Sequence, residues 1–152
     1  MPASISATKV KLVNNLLVAV HVAATAEAMA LGLKTGVKVN MMIKVIAAGS
    51  GGSTQFRIRA PCMAERRFLP AQGTASSPWH YRTVDAFAAN AGVATPMRDR
   101  AAELFEGCID MGLGEHHVAI MVDVLSAFPR TAREVLPIVP PRAANPEKSD
   151  DV

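Results

Sequence analysis

Between residues 7 and 34 the chain is apolar on nearly every face, interrupted only by Thr8, Lys9, Lys11, Asn14, Asn15, His21, Thr25, Glu27 and Lys34. A run of that length without alternation predicts one long helix, with Ser6 as its N-cap and Gly36 as a left-handed stop. Alanines at 19, 23, 24, 26, 28 and 30 would let neighbouring helices approach closely. A helix apolar all round is one that others surround.

The rest of the chain reads as shorter helices set off by punctuation. Asn40 is expected to cap residues 41–48, which Gly49 ends. Gly49-Ser50-Gly51-Gly52-Ser53 then leads into a helix over 54–65, which Pro61 is expected to kink or interrupt. Residues 66–77 have loop composition. Ser77-Pro78 and Thr95-Pro96 are cap-and-first-turn pairs, opening helices over 78–91 and 96–110, with Gly92 and Gly112 behind them. A last helix is expected over 115–127. No window alternates with period two for long enough to make a sheet. The fold class is therefore all-α: about six helices bundled around the long, apolar first one, in a domain spanning residues 1–128. Residues 129–152, with Pro129, Pro137, Pro140, Pro141 and Pro146, read as a disordered tail.

Composition narrows the classes of function. Half of the residues are apolar, enough for a packed core, and the formal net charge is only +3. Charges of both signs are spread along the chain, with no basic stripe and interleaved aromatics, so nucleic acid is not an expected partner. Cys62 and Cys108 lack CxxC spacing and read as reduced thiols of a cytoplasmic protein, a single disulfide being the other reading. Residues 12–33 are long enough for a membrane span, but a carboxylate such as Glu27 near mid-bilayer costs on the order of 3 kcal/mol. As a signal peptide the same stretch is interrupted by His21 and runs on as helix without a cleavage-type break. A buried core helix is the expectation, with no membrane partner.

Few residues offer chemistry. His116 and His117 are adjacent, so they diverge by about 100° on a helix, and no metal site is expected. They read as a solvated edge of the last helix, His21 as a hydrogen-bonded core histidine, and His80 beside Trp79 as a surface or interface residue. Asp99, Arg100 and Glu103 read as a charged helix face. The glycine loop at 49–53 lacks the Lys-Ser/Thr ending and the preceding strand of a P-loop, and reads as a connecting turn. Lys11 and Asn15 are the exception, because one helical turn brings their polar ends toward a common point. A lysine in a first helical turn would also face the positive end of the helix dipole, which favours loss of its proton. The plain alternative is a solvated helix start.

Lys11-Leu12-Val13-Asn14-Asn15, followed by Thr25-Ala26-Glu27-Ala28 and Lys34-Thr35-Gly36-Val37, resembles the β-hydroxyacid dehydrogenase family. That family includes 3-hydroxyisobutyrate dehydrogenase and is related to 6-phosphogluconate dehydrogenase. The resemblance covers residues 7–127 and is to the family's C-terminal helical domain. Gly92-Val93-Ala94-Thr95-Pro96 and Gly112-Leu113-Gly114 fit it as well. It implies Lys11 as general acid/base, Asn15 as a substrate contact and Asn14 as a residue holding the helix start. It also implies NAD or NADP as cofactor and a small β-hydroxyacid as substrate. Three departures accompany it. No Gly-x-Gly-x-x-Gly Rossmann half is present, no lysine stands near Trp79-His80, and His117 occupies the place of an aspartate. The expectation is a C-terminal domain detached from its Rossmann half, binding no cofactor alone and forming a homo-oligomer or joining a separate Rossmann domain. The alternative is a helical dimerisation or regulatory module without catalysis.

Overall fold

The computed structural model describes residues 3–68 and 78–127, with residues 3–5 and 78–82 given by backbone alone. Six α-helices follow one another: α1 (Ala3–Lys34), α2 (Val39–Ala48), α3 (Thr54–Ala64), α4 (Pro78–Ala91), α5 (Pro96–Asp110) and α6 (Met121–Ala127). A 3₁₀ turn, Val118–Ile120, leads into α6. Among the described residues there is no strand, and the all-α expectation holds.

The alanine pattern explains why α1 is the centre. Ala19, Ala23, Ala26 and Ala30 recur at helical spacing and are almost fully buried, as are Val22 and Met29 between them. Helices α3, α4, α5 and α6 all pack against α1. Phe56, Ala60 and Met63 of α3, Phe105 and Cys108 of α5, and Met121 and Val122 of α6 complete the core. At the far end of α1, α2 comes so close that a Cβ on Gly32 would run into the sulfur of Met42. By length and composition α1 could cross a membrane, but its stretch from Ala19 to Ala30 is packed by the other helices.

Four of the helix stops follow one motif. After α1, Val37 N–H donates to Gly32 C=O and Gly36 N–H to Leu33 C=O, with Gly36 at φ +73°. The same paired bonds close α4 at Gly92 and α5 at Gly112, both left-handed. They also close α3, where the left-handed residue is Arg66, at φ +53°.

Several boundaries differ from the sequence pattern. α1 begins at Ala3, so Ser6 lies inside the helix and is not its cap. Nothing between Ala3 and Ser6 breaks a helix, and propensity there carries the helix past the nominal cap. α2 is entered at Lys38, whose carbonyl accepts from Met42 N–H, and Asn40 is already helical. α3 is capped by Ser53, whose Oγ accepts from Phe56 N–H at 3.0 Å, and it continues through Pro61. The proline removes a single N–H near the end of the helix, and Glu65 N–H still donates to the Pro61 carbonyl. The expected helix over 115–127 is shorter, because His117 is extended and its N–H donates to Phe68 C=O at 3.1 Å. Ser77 and the tail from residue 128 onward lie outside the described residues.

Candidate functional site

Because α1 starts at Ala3, Lys11 stands more than two turns inside the helix, beyond the reach of its positive end. Asn14 is likewise too far in to hold the helix start. The spacing of Lys11 and Asn15 does not depend on where the helix begins. Asn15 is about 40° around the helix from Lys11 and about 6 Å along it, and Asn14 is about 60° to the other side. Lys11 and Asn14 are exposed and Asn15 is half-buried. Among the described residues none of the three has a side-chain hydrogen bond or ion pair, and the nearest acid on α1 is Glu27, four turns away. Lys9 and Lys11 therefore make this end of α1 cationic. It can hold an anion, offer amide hydrogen bonds and exchange a proton.

The same stretch of α1 exposes apolar side chains on another face. Val10, Val13 and Leu17 are 67, 52 and 48% exposed and recur at helical spacing next to Asn14, about 100–160° around α1 from Lys11. The packed core lies further along the same helix. α1 thus carries its polar trio on a stretch that the other helices cover only in part.

A second polar group, not foreseen as one, joins α3 to the start of α6. His117 is buried, not a solvated edge. Its Nε2 lies 2.5 Å from Arg59 Nη1, and its Nδ1 accepts from Ala119 N–H at 3.2 Å. Burial, then Arg59, then Arg67 hold the imidazole below its ordinary titration range. Burial also pulls the Arg59 guanidinium down. Arg98 was equally unforeseen; it is buried on α5 and paired with Asp85 of α4 and with Asp99. A signal for it existed, since Arg98, Ala101, Ala102, Phe105 and Cys108 share the core-facing helical period. His21 is half-buried, and its carbonyl accepts from the buried Thr25 hydroxyl at 2.6 Å. Both cysteines are free, Cys62 half-buried and Cys108 buried. The Trp79 and His80 side chains lie outside the described residues.

The glycine loop before α3 does not fit a dinucleotide. A Cβ on Gly52 would fall 2.7 Å from Ile46 C=O and 3.0 Å from Ala47 C=O, so this glycine is needed for contact with the end of α2. The carbonyls crowding that point repel phosphate, and the α3 N-terminus is already capped by Ser53.

The family model described as NAD-binding of NADP-dependent 3-hydroxyisobutyrate dehydrogenase matches residues 6–125, and the chain belongs to that family. It is 33% identical over 121 residues to 2-(hydroxymethyl)glutarate dehydrogenase of Eubacterium barkeri, covering 76% of this chain and 38% of that protein. It is 44% identical over 63 residues to L-threonate dehydrogenase of Cupriavidus necator, covering 41% of this chain and 21% of that protein. Among solved structures, 3-hydroxyisobutyrate dehydrogenase from Salmonella typhimurium superposes with a TM-score of 0.72 at 25% identity. That match covers 76% of this chain and 41% of that one. The chain thus spans about two fifths of the relatives it matches along most of its length.

Proposed function

We propose that this chain is the substrate and association domain of an NAD(P)-dependent β-hydroxyacid dehydrogenase, requiring a nucleotide-binding half for activity. The observation that carries the reading is the Lys11–Asn15 turn, on a stretch of α1 that the other helices cover only in part and that also exposes Val10, Val13 and Leu17. Lys11 acts as general acid/base at the substrate hydroxyl, taking its proton as the alcohol is oxidised. Asn15 orients the substrate, and the cationic end of α1 suits its carboxylate. Asn14, on the same stretch of α1, is a weaker substrate contact. The dinucleotide belongs to the partner half, since the glycine loop of this chain does not fit it. The named relatives act on threonate and 2-(hydroxymethyl)glutarate, both small hydroxyacids, which supports that substrate class.

The test is complementation. The chain alone should give no saturable heat with NAD or NADP in calorimetry. Paired in trans or fused to a Rossmann domain of the family, it should oxidise a small β-hydroxyacid. Stable association without turnover would favour the second reading, a helical dimerisation or regulatory module. That reading draws its support from the glycine loop, whose crowded carbonyls do not suit a phosphate.

A further inference from the structure

The neutral imidazole of His117 has one lone pair and one N–H, yet both ring nitrogens face donors, Arg59 Nη1 at 2.5 Å and Ala119 N–H at 3.2 Å. A second proton on the ring would leave no acceptor for either. It would also set a cation against the Arg59 guanidinium at hydrogen-bond distance. The contacts at stake are structural. The ring caps the 3₁₀ turn Val118–Ile120, and the His117 N–H bond to Phe68 C=O is the link from this turn to the segment after α3. Val118, Ala119, Met121 and Val122, which follow directly, are buried in the core against α1.

Among the described residues little compensates the protonated ring. The charged groups bearing on it are Arg59 of α3 and Arg67 of the following segment. On its own segment Glu115 and His116 are exposed. Asp123 of α6 is paired with Arg66 at 2.6 Å. The buried side chains of α1 and α5 are apolar apart from the Thr25 hydroxyl, the Arg98 guanidinium, held by Asp85 and Asp99, and the Cys108 thiol. Burial pushes that thiol up to about 11, so it stays neutral in acid and near-neutral solution.

We propose that His117 is an acid-sensitive latch: neutral, its ring caps the 3₁₀ turn that seats α6 on the bundle, and on gaining a proton it releases residues 117–127 from the bundle. The device is separate from the Lys11 site and holds whatever the chain's activity proves to be.

The test is amide hydrogen exchange on the full chain between pH 7 and pH 5, corrected for the intrinsic pH dependence of exchange. Amides of residues 119–124 should lose protection tenfold or more, while those of residues 22–30 in α1 change far less. In the same samples, the NMR titration of the His117 ring should share its midpoint with that loss. His117→Asn keeps a capping acceptor and cannot be protonated in this range, so its protection should be flat. Flat protection in the parent chain, a ring titration well separated from the loss, or equal acid sensitivity in His117→Asn would each overturn the proposal. If His117→Asn does not fold, the coincidence of the two midpoints in the parent decides.

Discussion

Arg98 reaches from α5 to grip Asp85 on α4 with both terminal nitrogens, Nη2 donating to Oδ2 at 2.6 Å and Nη1 to Oδ1. Its side chain is only 7% exposed, whereas that of Asp85 is 47% exposed. The two partners are therefore not equivalent. Asp85→Ala takes from a buried cation the carboxylate that grips it with both oxygens and should cost about 1–3 kcal/mol. Arg98→Met keeps the apolar stem and leaves behind a carboxylate that water can reach, so it should cost less. Denaturant midpoints of the two variants test this, and the reverse order would contradict it.

Four helices end in the same hydrogen-bonded motif, but only α3 places a side chain in the left-handed residue. For Arg66 that conformation costs about 1 kcal/mol, which Arg66→Gly removes. The substitution also loses the Arg66–Asp123 pair, but Arg66 is 71% exposed there and such pairs contribute little. Arg66→Gly should therefore leave thermal stability unchanged or slightly raised. Gly92→Ala, at φ +67°, should lower stability by about 1 kcal/mol. A clear loss in Arg66→Gly would mean that the ion pair outweighs the backbone strain.

The two thiols should be distinguishable. Burial pushes the Cys108 thiol up to about 11 from an ordinary value of 9.0. A disulfide reagent at pH 8 should thus modify Cys62 first and reach Cys108 only as the chain opens. The sign of the accompanying pH effect follows from the same shift. Above pH 9 the unfolded chain ionises first, so this thiol should erode stability as pH rises toward 11. Equal modification rates in native protein would contradict the burial.

Val10, Val13 and Leu17 leave an apolar stripe exposed on the open stretch of α1. Such a stripe on a long helix seeks cover, and the isolated chain should associate. Light scattering at roughly tens of micromolar should show a dimer or larger species. A monodisperse monomer would count against it.

The architecture was readable because it rests on local chemistry. The alanine spacing of α1 fixes the central helix, and Ser53, Pro78, Pro96 and the left-handed glycines punctuate the rest. What was not readable depends on contacts distant in sequence. His117 looked like a solvated residue because the partners that bury it, Arg59 and Phe68, lie about fifty residues earlier. The Lys11–Asn15 pair was visible through its spacing and resemblance, but the true start of α1 was not, since no breaker separates Ala3 from Ser6. Lys38 displaced Asn40 at the entry to α2 because the backbone, and no side chain, caps that helix.

The most direct test of the account concerns Lys11. In an assembly of this chain with a nucleotide-binding half of the family, Lys11→Ala should lose most of the turnover, on the order of 10²-fold or more, because the substrate hydroxyl loses its proton acceptor. The same variant should still associate, since Lys11 is exposed on α1 and makes no bond among the described residues. Asn15→Ala should chiefly raise KM. The measurement is kcat of the Lys11→Ala assembly against the parent, with association confirmed by light scattering. A large loss of kcat with intact association is the predicted result, and turnover equal to the parent would contradict the account.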